Sequence, residues 1–297
     1  MSPFGKALIA GVMILALSIA FVAGAEAQPP IRIGASASKT GTYATLGQGQ
    51  LRGYQLCVKH TNEKGGLLGR KLELVVEDDQ SQAATAIAIY ERLISREKVD
   101  LVLGPYGTPM TDPIADIPDR YKAPMISPTV ATTSIFKKGR KFIFMVPSPA
   151  ETYLEGFVEL AARHGLKTIA LINEDSLFPH AVVKGALELA RKRGLQVVFA
   201  EAYPKGTTDF SAILTRVRAT TPDAFGPVSF FEDAVAITRQ TKELNVNPKM
   251  YASTVGAAQP KFYEVLGRTA EFVYGPSQWE PELVTLRAGG LNHSSTS

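Results

Sequence analysis

The chain has 297 residues, with 32 Lys and Arg against 28 Asp and Glu, a net charge of +4 and one cysteine. This length suits one large or two medium domains with a sizeable core. The charges are spread out, and no basic stripe interleaved with aromatics points to nucleic acid; a single cysteine, Cys57, excludes an internal disulfide.

Lys6 precedes an apolar run from Ala7 to Ala25, followed by "AEAQ". A positive flank, an apolar segment, and Ala25 and Ala27 where a signal peptidase needs small side chains read as a secretory signal, residues 1–27, cut after Ala27. The expected location is therefore periplasmic. The competing reading is an uncleaved anchor, since the run is long enough to span a bilayer. Cleavage removes Lys6 and Glu26 together, so the excess of +4 is unchanged.

From Ile31 the chain alternates strand and helix patterns. "IRIGASAS" reads as a strand, and "GQGQLRGYQLCVKHTNEKG" as a helix with Leu51, Tyr54, Leu56 and Val58 at helical spacing and Cys57 among its core positions. "KLELVVED" is a strand; "AATAIAIYERLISREK" is a helix with Ile87, Tyr90, Leu93 and Ile94 on one side; "VDLVLGP" is a buried strand. "TDPIADIPDRY" is a short helix that Pro118 breaks or ends, and "APMISP" and "KFIFMVPS" are strands. Five more helix–strand units follow, from "ETYLEGFVELAARHG" to "EFVYGP". Such alternation predicts α/β architecture, with parallel sheets flanked by helices.

Gly65, Gly66 and Gly69 come after a helix and before a strand, the reverse of a phosphate loop. They read as a helix stop and a tight turn, since glycine tolerates positive φ. Asp78 and Asp79 read as scaffold at a strand end. "GQGQLRG" (Gly47–Gly53) has one residue too many for a dinucleotide fingerprint.

Open parallel sheets bind ligands at the carboxyl ends of their strands. The loops there read "ASASKTGTYATLG", "GPYGTPMTDP", "SPTVATTS", "NEDSLFPH", "PVSFFED" and "ASTVGAAQ". They offer hydroxyls, backbone donors and aromatics such as Tyr106, but almost no Lys, Arg or His. Such a set grips a carboxylate without a permanent counter-charge and covers an apolar body; the same composition is also ordinary for loops. His60, His164, His180 and His293 lack metal-ligand spacing, and no nucleophile elbow, Walker loop or His-Glu-x-x-His helix occurs. Neither catalysis nor a cofactor is expected.

"TGTYATLGQGQLRGYQL", "NEKGGLLGRKLELVVEDDQ", "GPYGTPMTDPIADI", "APMISPTVATTSIFKKG" and "TDFSAILTRVRATTPDAF", in this order, resemble the branched-chain amino-acid type of periplasmic solute-binding protein, which serves ABC importers. The similarity runs from Ile31 to about Arg287. It implies two α/β lobes joined by a three-strand hinge: lobe one from 31–141 and 275–297, lobe two from 142–274, with the ligand between them. It further implies a monomer that delivers a small amino acid or related carboxylate to a membrane permease. A ligand-sensing module of the same fold is the alternative.

Carried over by position, the resemblance puts the ligand carboxylate on Thr108 and on the Ser127–Thr132 stretch, where Val130 offers backbone groups and Thr132 a hydroxyl. Leu46, with Tyr43 nearby, takes the place of a stacking aromatic, and Phe178 and Phe230 replace tyrosines. Thr254 falls where an acid pairs with the ligand ammonium. An ammonium left without a carboxylate costs several kcal/mol, so a carboxylate without an α-amino group fits better, unless Glu232 or Asp233 supplies the charge. The resembled proteins continue past "YGPSQWEPEL", and the tail "RAGGLNHSSTS" reads as a truncated or frameshifted end.

Overall fold

The computed structural model describes residues 28–278 and the backbone of a short antiparallel hairpin, Thr285–Arg287 with Gly290–Asn292. The expected signal segment lies outside the described residues. Among the described residues no helix is long and apolar enough to cross a membrane.

Ile31–Ala37 (β1), Leu72–Asp78 (β2), Leu101–Leu103 (β3), Met125–Ser127 (β4) and Ile143–Met145 (β5) form one sheet in the order β2-β1-β3-β4-β5. Thr168–Glu174 (β6), Gln196–Tyr203 (β7), Ala224–Val228 (β8), Met250–Ala252 (β9) and Val273–Tyr274 (β10) form a second, in the order β10-β9-β8-β6-β7. Every pairing within the two sheets is parallel. The two orders are one topology used twice: the second strand lies on one side of the first, and the later strands on the other.

The strand sequences explain why both faces are covered. In β6, Ile169 and Leu171 join one core cluster while Ala170 and Ile172 join another across the sheet. All five residues of β8 are buried. A strand apolar on both faces belongs between helix layers. Pro227, which cannot donate to a ladder, lies past Ala224 and Phe225, the residues of β8 paired with β9.

The boundary between lobes differs from expectation. β5 pairs with β4, and Met125 N donates to Phe142 O at 2.7 Å. Residues 142–145 therefore belong with the first sheet, and the chain crosses after Met145. Ile143 is buried in the core, which holds the strand there. Ser148 N donates to Gln278 Oε1 at 2.9 Å, tying the segment after β5 to the segment after β10.

Three local readings are corrected. Helix Ala44–Glu63 (α1) buries Leu46, Gly47 and Tyr54, but nothing beyond Tyr54. The helix outruns the core it covers, so Leu56 is 52% exposed and Cys57 faces solvent. In helix Ala83–Ser95 (α2), Tyr90 and Leu93 are buried as expected, but Ala86 and Ile89 complete the face and Ile87 is exposed. Pro118 stands in the first turn of Ile117–Tyr121, where it starts a helix rather than ending one.

The glycine turn is as the sequence implies. Gly65, Gly66 and Gly69 all have positive φ, and a Cβ on Gly66 would lie 2.0 Å from Arg70 O. Asp79 is fully buried and accepts from Ser36 Oγ and Ser38 Oγ, both at 2.7 Å, and from Ser81 N at 3.0 Å. It thus clamps the end of β1 to the end of β2.

Asp79→Ala is expected to lose at least about 2 kcal/mol in urea unfolding, because it strands two buried hydroxyls. A loss under about 0.5 kcal/mol, the range of a plain surface change, would contradict the clamp.

Candidate functional site

The carboxyl ends of the two sheets face each other, and the segments that leave them build one cleft. From lobe one come Tyr43 and Leu46 after β1, Tyr106 and Thr108 after β3, and Thr129 and Thr132 after β4. From lobe two come Phe178 after β6, Phe230 after β8, and Val255 after β9. Gly47 brings the start of α1 against the end of β1: a Cβ there would lie 2.4 Å from Ser38 O.

Thr108 and Thr132 are both buried, and their hydroxyls are 2.8 Å apart. One donates to the other, which leaves a single O–H of the pair for a ligand. Gly107 N donates to Thr129 Oγ1 at 3.0 Å, and Gln50 Nε2 and Tyr54 OH both donate to Gly104 O, at 2.8 and 2.7 Å. These bonds fix the segment that carries Thr108.

Aromatic rings close the space above the hydroxyls. Tyr43 meets Phe230 edge-on across the lobes at 5.2 Å between centroids, Phe230 meets Phe178 at 5.8 Å, and Phe178 meets Tyr153 at 5.2 Å. Among Tyr106, Thr108, Phe178 and Phe230 only about 20 Å³ is open. A cavity of about 380 Å³ adjoins it, lined by Leu46, Gln50, Pro147 and Gln278; both spaces touch Tyr106, Thr129, Tyr153 and Val255. A small organic molecule fits the larger space, and Thr108 lines the smaller one beside it. A further cavity of about 440 Å³ is lined by Tyr153, Phe157, Leu160 and Tyr274, the last residue of β10.

Thus Leu46, Tyr106, Thr108, Phe178 and Phe230 line the cleft cavities, and Thr132 joins them through Thr108. Three expected residues stand apart. Val130 is a fully buried core residue. Ser127 is fully buried with an unpartnered Oγ and lines neither cavity. Thr254 accepts from Ser229 N and donates to Ser229 O, both at 3.0 Å. Its hydroxyl locks the ends of β8 and β9 together, and its only proton is spent on the backbone.

Sequence reading missed Tyr153, which enters from the hinge crossing, and the charged corner beside Tyr43. Lys205, exposed in the loop after β7, has its Nζ 5.4 Å from the Tyr43 ring centroid, so a cation stands at the edge of the cleft. That loop was not among the strand ends read as ligand loops. Tyr203 donates to Asp233 Oδ2 at 3.0 Å, and Ser176 Oγ donates to Glu174 Oε1 at 2.7 Å. The Asp233 carboxyl is pushed up to about 6, first by burial; Glu174 and Glu232 add to the rise, while the Tyr203 hydroxyl and Lys205 oppose it.

The folded chain therefore holds this proton more tightly than the unfolded chain. The group's contribution to stability is complete below the ordinary carboxylate range and is lost as pH rises through about 6. Asp233→Asn removes that loss. Its melting temperature relative to the parent is expected to rise between pH 4 and pH 7.5; a difference that stays flat or falls would contradict the assignment.

With this geometry in place, comparison with known proteins is direct. The profile of the periplasmic binding protein family matches residues 30–289. The Leu/Ile/Val-binding protein homolog 7 of Brucella suis is 28% identical over 257 residues, covering 82% of this chain and 63% of that protein. The amino acid binding protein of Pseudomonas aeruginosa is 23% identical over 240 residues, covering 78% and 63%. The chain thus spans less than two thirds of the length of these relatives. Among solved structures, the leucine binding protein LivK of Thermotoga maritima superposes with a TM-score of 0.78 at 23% identity, covering 86% of this chain and 72% of that one. The chain belongs to the periplasmic binding protein family and has its type I fold, two parallel-sheet lobes facing across a cleft.

Proposed function

We propose that this chain is the solute-binding protein of an ABC importer, working in the periplasm, and that its ligand is a small carboxylate with an apolar or aromatic body and no α-amino group. The observation that carries the reading is Thr254. Where the resemblance puts an acid for the ligand ammonium, this chain has a buried hydroxyl closed on the Ser229 peptide. The ligand carboxylate would take the free O–H of the Thr108–Thr132 pair, and Tyr106, Phe178 and Phe230 would cover its body. Phe178 and Phe230 bring no hydroxyl for a polar ligand end.

Relatives cover both ligand classes. A Streptococcus pneumoniae binding protein, LivJ, was solved in complex with isoleucine, and a solute binding protein of Rhodopseudomonas palustris with 3,4-dihydroxy benzoic acid. A second reading, a Leu/Ile/Val-type amino acid, draws support from Asp233, a part-buried acid beside the cleft aromatics.

Calorimetry with 4-methylpentanoate, benzoate and leucine tests the choice. The deaminated acid is expected to bind at least about tenfold more tightly than leucine, because a site without a partner strips water from the ammonium and gives nothing back. Tight leucine binding with a weak deaminated analogue would establish the second reading instead. Thr108→Ala should weaken the favoured acid by about 1–3 kcal/mol, the usual cost of deleting a charge-assisted partner; unchanged affinity would remove Thr108 from the site.

A further inference from the structure

We propose that Lys205 sets the charge class of the ligand: it holds, from within the protein, the cationic position beside Tyr43, Phe230 and Asp233 that a ligand ammonium would otherwise take. The inference rests on the ligand reading above and adds a residue and a mechanism to it.

The placement follows from the chain. β7 ends at Tyr203, whose side chain is buried against Phe210 with the rings edge-on at 4.9 Å and whose hydroxyl reaches Asp233. Two residues on, Lys205 extends toward lobe one and sets its ammonium over Tyr43. The Tyr43 ring in turn touches Phe230, which caps the helix Phe231–Glu243 that carries Asp233. A lobe-two cation, a lobe-one ring, a cleft ring and an acid thus meet in one corner.

The charged and titratable groups facing that corner are few. Glu174 is buried at the end of β6, Asp233 is part-buried and Glu232 is exposed on the same helix, and Tyr43 and Tyr203 add phenol hydroxyls. Lys205 acts electrostatically on Tyr43 and Asp233, and Glu174 and Asp233 act on Lys205. The acids would attract a ligand ammonium if they stood alone. With Lys205 between the lobes, an arriving ammonium meets a like charge and finds its counter-charge shared. Specificity of this kind is built by repulsion as much as by attraction. It also accounts for an acid beside the cleft in a site that favours ligands without an amine.

The test is calorimetry on the full chain and on Lys205→Met and Lys205→Arg, with leucine and 4-methylpentanoate at pH 7.5. The ratio of the two dissociation constants is the readout. Lys205→Met is expected to shift it toward leucine by about tenfold or more, the scale of one charge-pair difference; Lys205→Arg keeps the parent ratio. Asp233→Asn added to Lys205→Met should reverse the shift. A Lys205→Met ratio within twofold of a parent that prefers the deaminated acid overturns the role of Lys205 and leaves the ligand reading standing. A parent that prefers leucine, or binds neither acid, overturns both. Circular dichroism of each variant confirms that loss of binding is not loss of fold.

Discussion

Everything in this molecule depends on the direction of its strands. Parallel strands put all their carboxyl ends on one edge of a sheet, and the first strand of each sheet lies inside it with its successors on both sides. The chain passes from the first sheet to the second after β5, and the Ser148–Gln278 bond ties that segment to the one after β10. Asp79, joining the ends of β1 and β2, keeps the lobe-one edge in shape. The cleft is the consequence: its residues come from segments far apart in sequence and adjacent only because of strand order.

The cleft divides chemically into two ends. At one, two buried threonine hydroxyls face each other and can release one O–H toward an anion. At the other, Lys205 stands over Tyr43 near two carboxylates. Between them Tyr43, Phe230, Phe178 and Tyr153 form a chain of ring contacts that spans both lobes. The rings meet where a ligand body would lie, so closing without a ligand already buries apolar surface, and a ligand must replace those contacts with better ones.

The parallel-sheet architecture was legible in the sequence because strands buried on both faces read as short apolar runs between amphipathic helices. Phe178, Phe230 and Thr108 came from the family resemblance, and they line the small cavity between the lobes. The failures have physical causes. β5 is three residues long and its neighbour in sequence is a crossing segment, so nothing local says which sheet it joins. Cys57 lies in a periodic helix that continues beyond its core. The bonds of Thr254 to Ser229 could not be foreseen, since side-chain-to-backbone bonding between two strand ends leaves no pattern in sequence. Lys205 escaped because an exposed loop lysine gives no sequence signal; only its place over the Tyr43 ring gives it a role.

On the proposed function, the cleft takes a carboxylate that brings no amine. Native mass spectrometry of the purified chain, with release and identification of whatever it carries, tests this most directly. A bound small carboxylic acid with an apolar or aromatic body and no amino group is expected. Recovery of leucine, isoleucine, valine or another free amino acid in its place would contradict it.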